Sequence, residues 1–182
     1  MTRALTEEEL QQQAIAEGVS MHPYDPAWPK RFSEEKGRLL RLFPDHLIEV
    51  QHIGSTAIPG LQAKPIIDLM AGVGSMEQVL QLVTPLRASE YLYLPDLNEN
   101  LPERRWLLRH HGGHRTHHLH LVEHGGPEWL RLLRFRDELL HNPELTARYA
   151  RLKEEMAGRY GQDRDSYTRS KSDFIKAVLD KG

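Results

Sequence analysis

His52-Ile53-Gly54-Ser55-Thr56-Ala57-Ile58-Pro59-Gly60-Leu61, followed closely by Lys64-Pro65-Ile66-Ile67-Asp68-Leu69-Met70, is the stretch whose reading decides the fold. Leu47, Ile48, Val50 and Ile53 mark a strand over 46–53, and the turn-forming run from Gly54 to Leu61 ends it. The apolar run 65–73 reads as a second strand. A glycine at that turn lets backbone amides face a ligand; with the Ser55 hydroxyl they make a small anion cradle suited to phosphate. An ordinary turn with a helix-capping serine fits the same residues. Asp68 inside an apolar strand is costly unless it is paired or holds a metal, and alternation puts Ile66, Asp68 and Met70 on one face. It is either an ion-paired strand end or part of a site. In the second case, turn and carboxylate together would hold triphosphate oxygens and Mg²⁺ side by side. Lys64 is placed to pair with Asp68, to reach a phosphate, or to sit on the surface.

Working outward, Thr6 and Glu9 form a capping box that opens a short helix over 6–17, with Gly18 as its stop. That helix has few apolar positions, so residues 1–18 read as an extension lying on the surface or on a partner. A second helix spans about 29–43 and ends at Pro44. A third spans about 75–89, where Pro85 implies a kink or an early end. A third strand covers 91–94. Two more strands, over 105–110 and 117–123, form a hairpin about Gly112-Gly113. The last third is helical, over about 127–140, 143–160 and 165–179. The expected class is α+β: a mixed sheet with flanking helices and a helical C-terminal third.

Composition bounds the function. The 182 residues are 39% hydrophobic and 27% charged, with a formal charge of -2, which excludes a disordered chain and argues against a polybasic nucleic-acid binder. The absence of cysteine excludes disulfides, thiolate metal sites and cysteine nucleophiles. No apolar run approaches the roughly 20 residues of a membrane span, and the acidic N-terminus is unlike a signal peptide. A soluble cytoplasmic protein, monomeric or homodimeric, is the expectation.

Seven of eleven histidines fall between His110 and His124. His110, His111, His114 and His117 read as a solvated strand face. His118 and His120 share one side of a strand, where two imidazoles can share a metal ion with His52 as a third ligand, or simply form a polar face. From Glu103 to Arg136 there are seven Arg against three acidic residues. Arg131 and Arg134 lie one turn apart there and would hold an anion or form a helix face salt-bridged to Asp137 and Glu138. Tyr167 and Lys171 lie four apart on one face of the last helix, suited to a base and a phosphate, or to nothing in particular.

These segments together resemble the GrpB family. The resemblance rests on Tyr24-Asp25-Pro26-Ala27-Trp28, on His52 through Leu61 and on Ala63 through Leu69. It continues through His118-Leu119-His120, Leu133 through Asp137, Tyr149 with Leu152-Lys153, and Tyr167 through Ile175. It covers about 19–182 and implies a nucleotidyltransferase-like fold. In that superfamily a Gly-Ser turn binds the triphosphate, two carboxylates spaced Asp-x-Asp hold divalent metals, and a third lies further on. The resemblance maps the turn to Gly54-Ser55 and the first carboxylate to Asp68. The second position is Met70, which binds no Mg²⁺, and only His118 or His120 lies near the third. The expected ligand is a nucleotide or other phosphate-bearing small molecule. Gly54, Ser55, Lys64, Arg134, Arg136, Tyr167 and Lys171 would bind it. Asp68, His118 and His120 would be catalytic and, with His52, would hold one Mg²⁺, Mn²⁺ or Zn²⁺. The alternatives are a regulatory nucleotide-binding module and a metal-dependent hydrolase.

Overall fold

The computed structural model describes residues 5–18, 20–160 and 164–180. Within these described residues, seven α-helices and five strands follow one another as α1 (Glu7–Ala16), α2 (Trp28–Leu42), β1 (Glu49–Ile53), β2 (Ile67–Val73), α3 (Met76–Ala88), β3 (Tyr91–Tyr93), α4 (Pro95–Asn98), β4 (Arg104–His111), β5 (His114–Glu123), α5 (Pro127–His141), α6 (Pro143–Tyr160) and α7 (Arg164–Leu179). A single 3₁₀ turn, Ser55–Ala57, follows β1. The sheet order is β1-β2-β5-β4-β3, with β2 and β5 parallel and every other pair antiparallel. This is the expected α+β class.

Alternation sorts the strand residues between two faces. Val50, Ile67, Leu69, Leu107, Leu119 and Leu121 point to the side covered by α2 and α3, where with Trp28, Leu39 and Leu82 they form the main core. Ile53, Met70 and Val122 point to the opposite side and pack under Trp129 of α5. A third cluster joins Ile58 and Leu61, from the turn after β1, to Leu139 of α5, Leu145 and Tyr149 of α6 and Phe174 of α7. The C-terminal helices are thereby fixed beside the Gly54 turn.

Three local features differ from the sequence expectation. Pro85 does not end α3 early: it sits in the last turn, and the helix runs on to Ala88. A proline there removes only one late backbone bond. The short helix α4 has a proline at its start and no apolar stripe to announce it. The helix α1 does not lie apart. Its capping box forms as expected, and Ala14 is buried against the β4–β5 hairpin.

That hairpin turns at Gly112 and Gly113, whose φ values of 57° and 79° only glycine adopts readily. A register shift opposite Arg109/His110 makes His110 pair with Arg115 while Arg109 pairs with His117. The extra residue, Thr116, turns Arg115 onto the face that carries His118. The Arg115 guanidinium then donates to the Ala14 carbonyl (Nε, 2.7 Å) and the Ile15 carbonyl (Nη2, 2.7 Å), at the negative end of α1. Glu17 accepts from the Arg115 backbone N–H and pairs with His114, and Glu7 pairs with His110. The histidines read as a solvated face therefore divide. His111 and His114 are exposed, the His110 side chain is buried under α1, and His117 is half-buried on the other face.

Candidate functional site

Between α1, α4, the Gly54 turn, the α6–α7 pair and the open half of the sheet lies a cleft of about 800 Å³. Asp68 of β2, His118 and His120 of β5, and Arg104 and Trp106 of β4 form its floor. They share a face because Asp68 pairs with His118 in register and Trp106 pairs with His120. Ile15, Glu17 and Gly18 form one wall, Ser55, Thr56 and Lys64 a second, and Lys153 and Lys171 a third.

At the centre Asp68 Oδ1 accepts a hydrogen bond from His118 Nδ1 at 2.9 Å and lies 3.7 Å from His120 Nε2. Burial pushes the Asp68 carboxyl up. Hydrogen bonds and positive charge from His118 and His120 more than reverse this, holding it well below the usual carboxylate range. Burial pushes His120 down, against the pull of Asp68. The His118 ring leans on Trp106, centroids 4.9 Å apart, and Arg115 lies 5.7 Å over the Trp106 ring. Gly54, at φ 71°, brings the turn directly against the carboxylate. Ala57 N–H bonds back to the Gly54 carbonyl at 3.2 Å, so the Ser55 and Thr56 amides have no acceptor within the turn.

Four buried nitrogens of cleft residues have no hydrogen-bond partner: Arg104 Nε, Arg115 Nη1, His118 Nε2 and His120 Nδ1. Leaving such a group unpaired costs about 1–3 kcal/mol, so a polar molecule entering the cleft would find partners there.

The expected site residues are placed as follows. Ser55, Lys64, Asp68, His118, His120 and Lys171 all line the cleft, and Gly54 packs behind Asp68. His52 does not join them. It pairs in register with Leu69, on the core face, where its ring stacks on Phe32 (4.6 Å) and its Nε2 bonds to Thr56 Oγ1 (3.0 Å). Burial lowers it to about 4 despite the attraction of Asp68. Arg136 is also elsewhere. Its Nε pairs with Asp137, and its Nη1 donates to Gln51 Oε1 at 2.8 Å and the His52 carbonyl at 3.1 Å, pinning α5 to β1. Arg134 lines a separate pocket with Glu138, Arg148 and Phe174. Tyr167 is in α7, and its side chain lies outside the described residues.

The donor set decides what a metal would find. Met70, on Asp68's face but fully buried among Ile53, Val122 and Trp129, is part of the core and leaves Asp68 without a second carboxylate beside it on this strand. The remaining imidazoles direct their nearest nitrogens at one Asp68 oxygen. Among the described residues, no three His, Asp or Glu side chains converge as metal ligands do. The arrangement does not fit the pair of hard cations used for nucleotidyl transfer.

Three cleft cations escaped sequence reasoning. Arg104 was readable from alternation, since it shares a strand face with Trp106. Arg115 was not, because the Thr116 bulge reverses it. Lys153 carried a clear signal: it falls on the helical stripe of Leu145, Tyr149 and Met156, where a cation is out of place.

The fold and cleft define an α+β protein with a polar site on one half of a mixed sheet. The chain belongs to the GrpB family, whose model, described as GrpB protein, matches residues 18–181. It is 38% identical over 155 residues to the UPF0157 protein YqkA of Bacillus subtilis, a match covering 85% of this chain and 44% of that protein. The chain thus spans less than half the length of that relative. It is 32% identical over 168 residues to the glutamate-rich protein GrpB of Alkalihalophilus pseudofirmus, covering 85% of this chain and 90% of the other. The crystal structure of the conserved protein GrpB from Enterococcus faecalis superposes with a TM-score of 0.79 at 34% identity, covering 89% of this chain and 96% of that one.

Proposed function

We propose that the cleft binds a phosphate-bearing small molecule, with a nucleotide as the class that a nucleotidyltransferase-like fold favours. The unpaired buried nitrogens of Arg104 and Arg115 carry this reading, because both are N–H donors that an oxyanion would satisfy, and the free ring nitrogens of His118 and His120 would join them once protonated. Charge supports it. Lys64, Arg104, Arg115, Lys153 and Lys171 line the cleft against the carboxylates of Asp68 and Glu17.

In this reading Asp68 fixes the His118 tautomer by accepting from Nδ1–H, which leaves Nε2 to hold or deliver a proton on the ligand. The Ser55 hydroxyl and the turn amides sit beside the same carboxylate and would position phosphate oxygens. A second reading, a nucleotide-binding module without transfer chemistry, is favoured by the buried Met70.

Calorimetric titration with nucleoside triphosphates and with pyrophosphate tests the binding, and pyrophosphate release separates the two readings. Each ligand should raise the melting temperature. Arg104→Gln should weaken binding about tenfold or more, the scale of one lost charge-assisted hydrogen bond. If no phosphate compound stabilises the protein, or if Arg104→Gln binds as well as the unmodified chain, the proposal fails.

A further inference from the structure

Lys153 is the most anomalous charge in the molecule. It is 2% exposed, on the apolar face of α6, and lines the cleft. Its Nζ donates to the Gln62 carbonyl at 2.5 Å and lies 5.1 Å over the Tyr149 ring. No carboxylate of the described residues forms an ion pair with it. Its neighbour Glu154 spends its carboxylate on the Gln62 side-chain amide instead. Among the described residues, the charged groups around it are Lys171 from α7, Glu154 from its own helix and Lys64 in the adjoining wall. Buried lysines are rarely left without a counter-ion, because removing an ammonium from water costs several kcal/mol.

We infer that Lys153 is a ligand-binding residue whose missing counter-charge is a phosphate dianion of the bound molecule, shared with Lys171, so that binding draws a proton onto the lysine. The inference rests on the phosphate reading of the cleft and narrows it to ligands that carry a terminal or monoester phosphate. Its physical basis is a competition. Without ligand, burial and the nearby Lys171 charge push the amine down to about 7, with Glu154 opposing. A dianion placed beside the amine reverses this and restores the ammonium. Above pH 7 binding must therefore take up a proton, and below it the proton is already present.

Titration calorimetry with pyrophosphate, run in two buffers of different ionisation enthalpy, counts those protons. The comparison is between the unmodified protein, Lys153→Arg and Lys153→Met. The ligand's own titration is common to all three and cancels in the differences. At pH 8 the unmodified protein should take up a substantial fraction of one proton more than Lys153→Arg, and at pH 6 the difference should vanish. Lys153→Met should bind at least tenfold more weakly at pH 6.

Equal proton uptake by all three proteins at pH 8, alongside normal binding, overturns the inference and leaves the phosphate cleft standing. Failure of pyrophosphate to bind the unmodified protein overturns the inference, and failure of the nucleoside triphosphates as well overturns the phosphate reading of the cleft. Should a variant not fold, carbon NMR of the unmodified protein labelled with ¹³C at the lysine ε-carbon gives the answer directly: the Lys153 signal must titrate near neutrality and move to higher pH with pyrophosphate. A signal that stays put overturns the inference.

Discussion

A Cβ on residue 54 would lie within 3.0 Å of the Asp68 Cβ and Cγ and would overlap Asp68 Oδ2 outright, so Gly54 and Asp68 are fitted to one another. The glycine allows the backbone to pass at φ 71° and to lay the Ser55 turn against the carboxylate. The cradle and the charged centre of the cleft are therefore one unit.

Gly54→Ala should consequently harm both stability and binding. The left-handed backbone alone costs an alanine roughly 1–2 kcal/mol, and the overlap must displace either the turn or Asp68. Urea unfolding should show a loss of at least that size, and pyrophosphate affinity should fall by more than tenfold in the protein that remains folded. Gly60, with φ 77° and open space around it, provides the control. Gly60→Ala should lose stability to a similar backbone cost and keep its affinity. Equal affinity losses in the two variants would show that contact with Asp68 is irrelevant.

Acid should destabilise the fold in two stages. Burial holds His52 and His117 at about 4, against about 6.5 in the unfolded chain. Between those values the unfolded chain binds more protons, so stability is complete above about pH 6.5 and declines towards pH 4. Asp68, held below its unfolded value, adds stability that is present above about pH 4 and is lost on further acidification. Thermal melts at pH 7.5 and 4.5 should differ, with each histidine contributing on the order of 1 kcal/mol. His117→Gln should flatten the profile; an unchanged slope would mean that His117 titrates as if exposed.

Arg115 should decide whether α1 stays on the cleft. It supplies two hydrogen bonds to α1 carbonyls, and its backbone amide supplies a third to Glu17. Arg115→Ala removes the guanidinium bonds, worth about 1.5–3 kcal/mol apiece where one partner is charged. Hydrogen exchange should then accelerate across Glu7–Ala16 and stay unchanged in β2 and α3. Uniform acceleration would instead make α1 integral to global folding.

The strands, the hairpin and the three long C-terminal helices were legible because their apolar periodicity and turn residues agree. The grouping of Gly54, Ser55, Asp68, His118 and His120 was expected from the turn, the carboxylate on the next strand and the family resemblance, and it arises because β2 and β5 are adjacent and parallel with Asp68 opposite His118. What escaped depends on tertiary events that periodicity does not encode. The face His52 takes follows from pairing with Leu69 rather than Asp68, one residue of register. Arg115 is turned by a bulge. Arg136 looked like an anion ligand only because Gln51 and the His52 carbonyl, its acceptors, lie 85 and 84 residues away in sequence.

Met70 combines both lessons and gives the sharpest substitution. Alternation places it on the same strand face as Asp68, and the family resemblance maps it to the second metal-binding carboxylate of the nucleotidyltransferase pattern, so Met70→Asp would be expected to rebuild a cation site. The face is as expected, but α5 closes over this part of it. Met70 is 0% exposed, and its neighbours Ile53, Val122 and Trp129 offer a carboxylate no hydrogen-bond donor other than the Trp129 indole N–H. An ionised aspartate there would be desolvated and close to the charge of Asp68, two residues away on the same side. Met70→Asp should therefore unfold at markedly lower denaturant, by about 3–5 kcal/mol, the range for an uncompensated buried charge. It should gain no affinity for Mg²⁺ or Mn²⁺ by calorimetry. Met70→Leu, which conserves volume, should cost less than about 1.5 kcal/mol and leave pyrophosphate binding intact. A Met70→Asp protein of normal stability that binds Mg²⁺ would show instead that α5 can lift from the sheet and that the cleft extends beneath it.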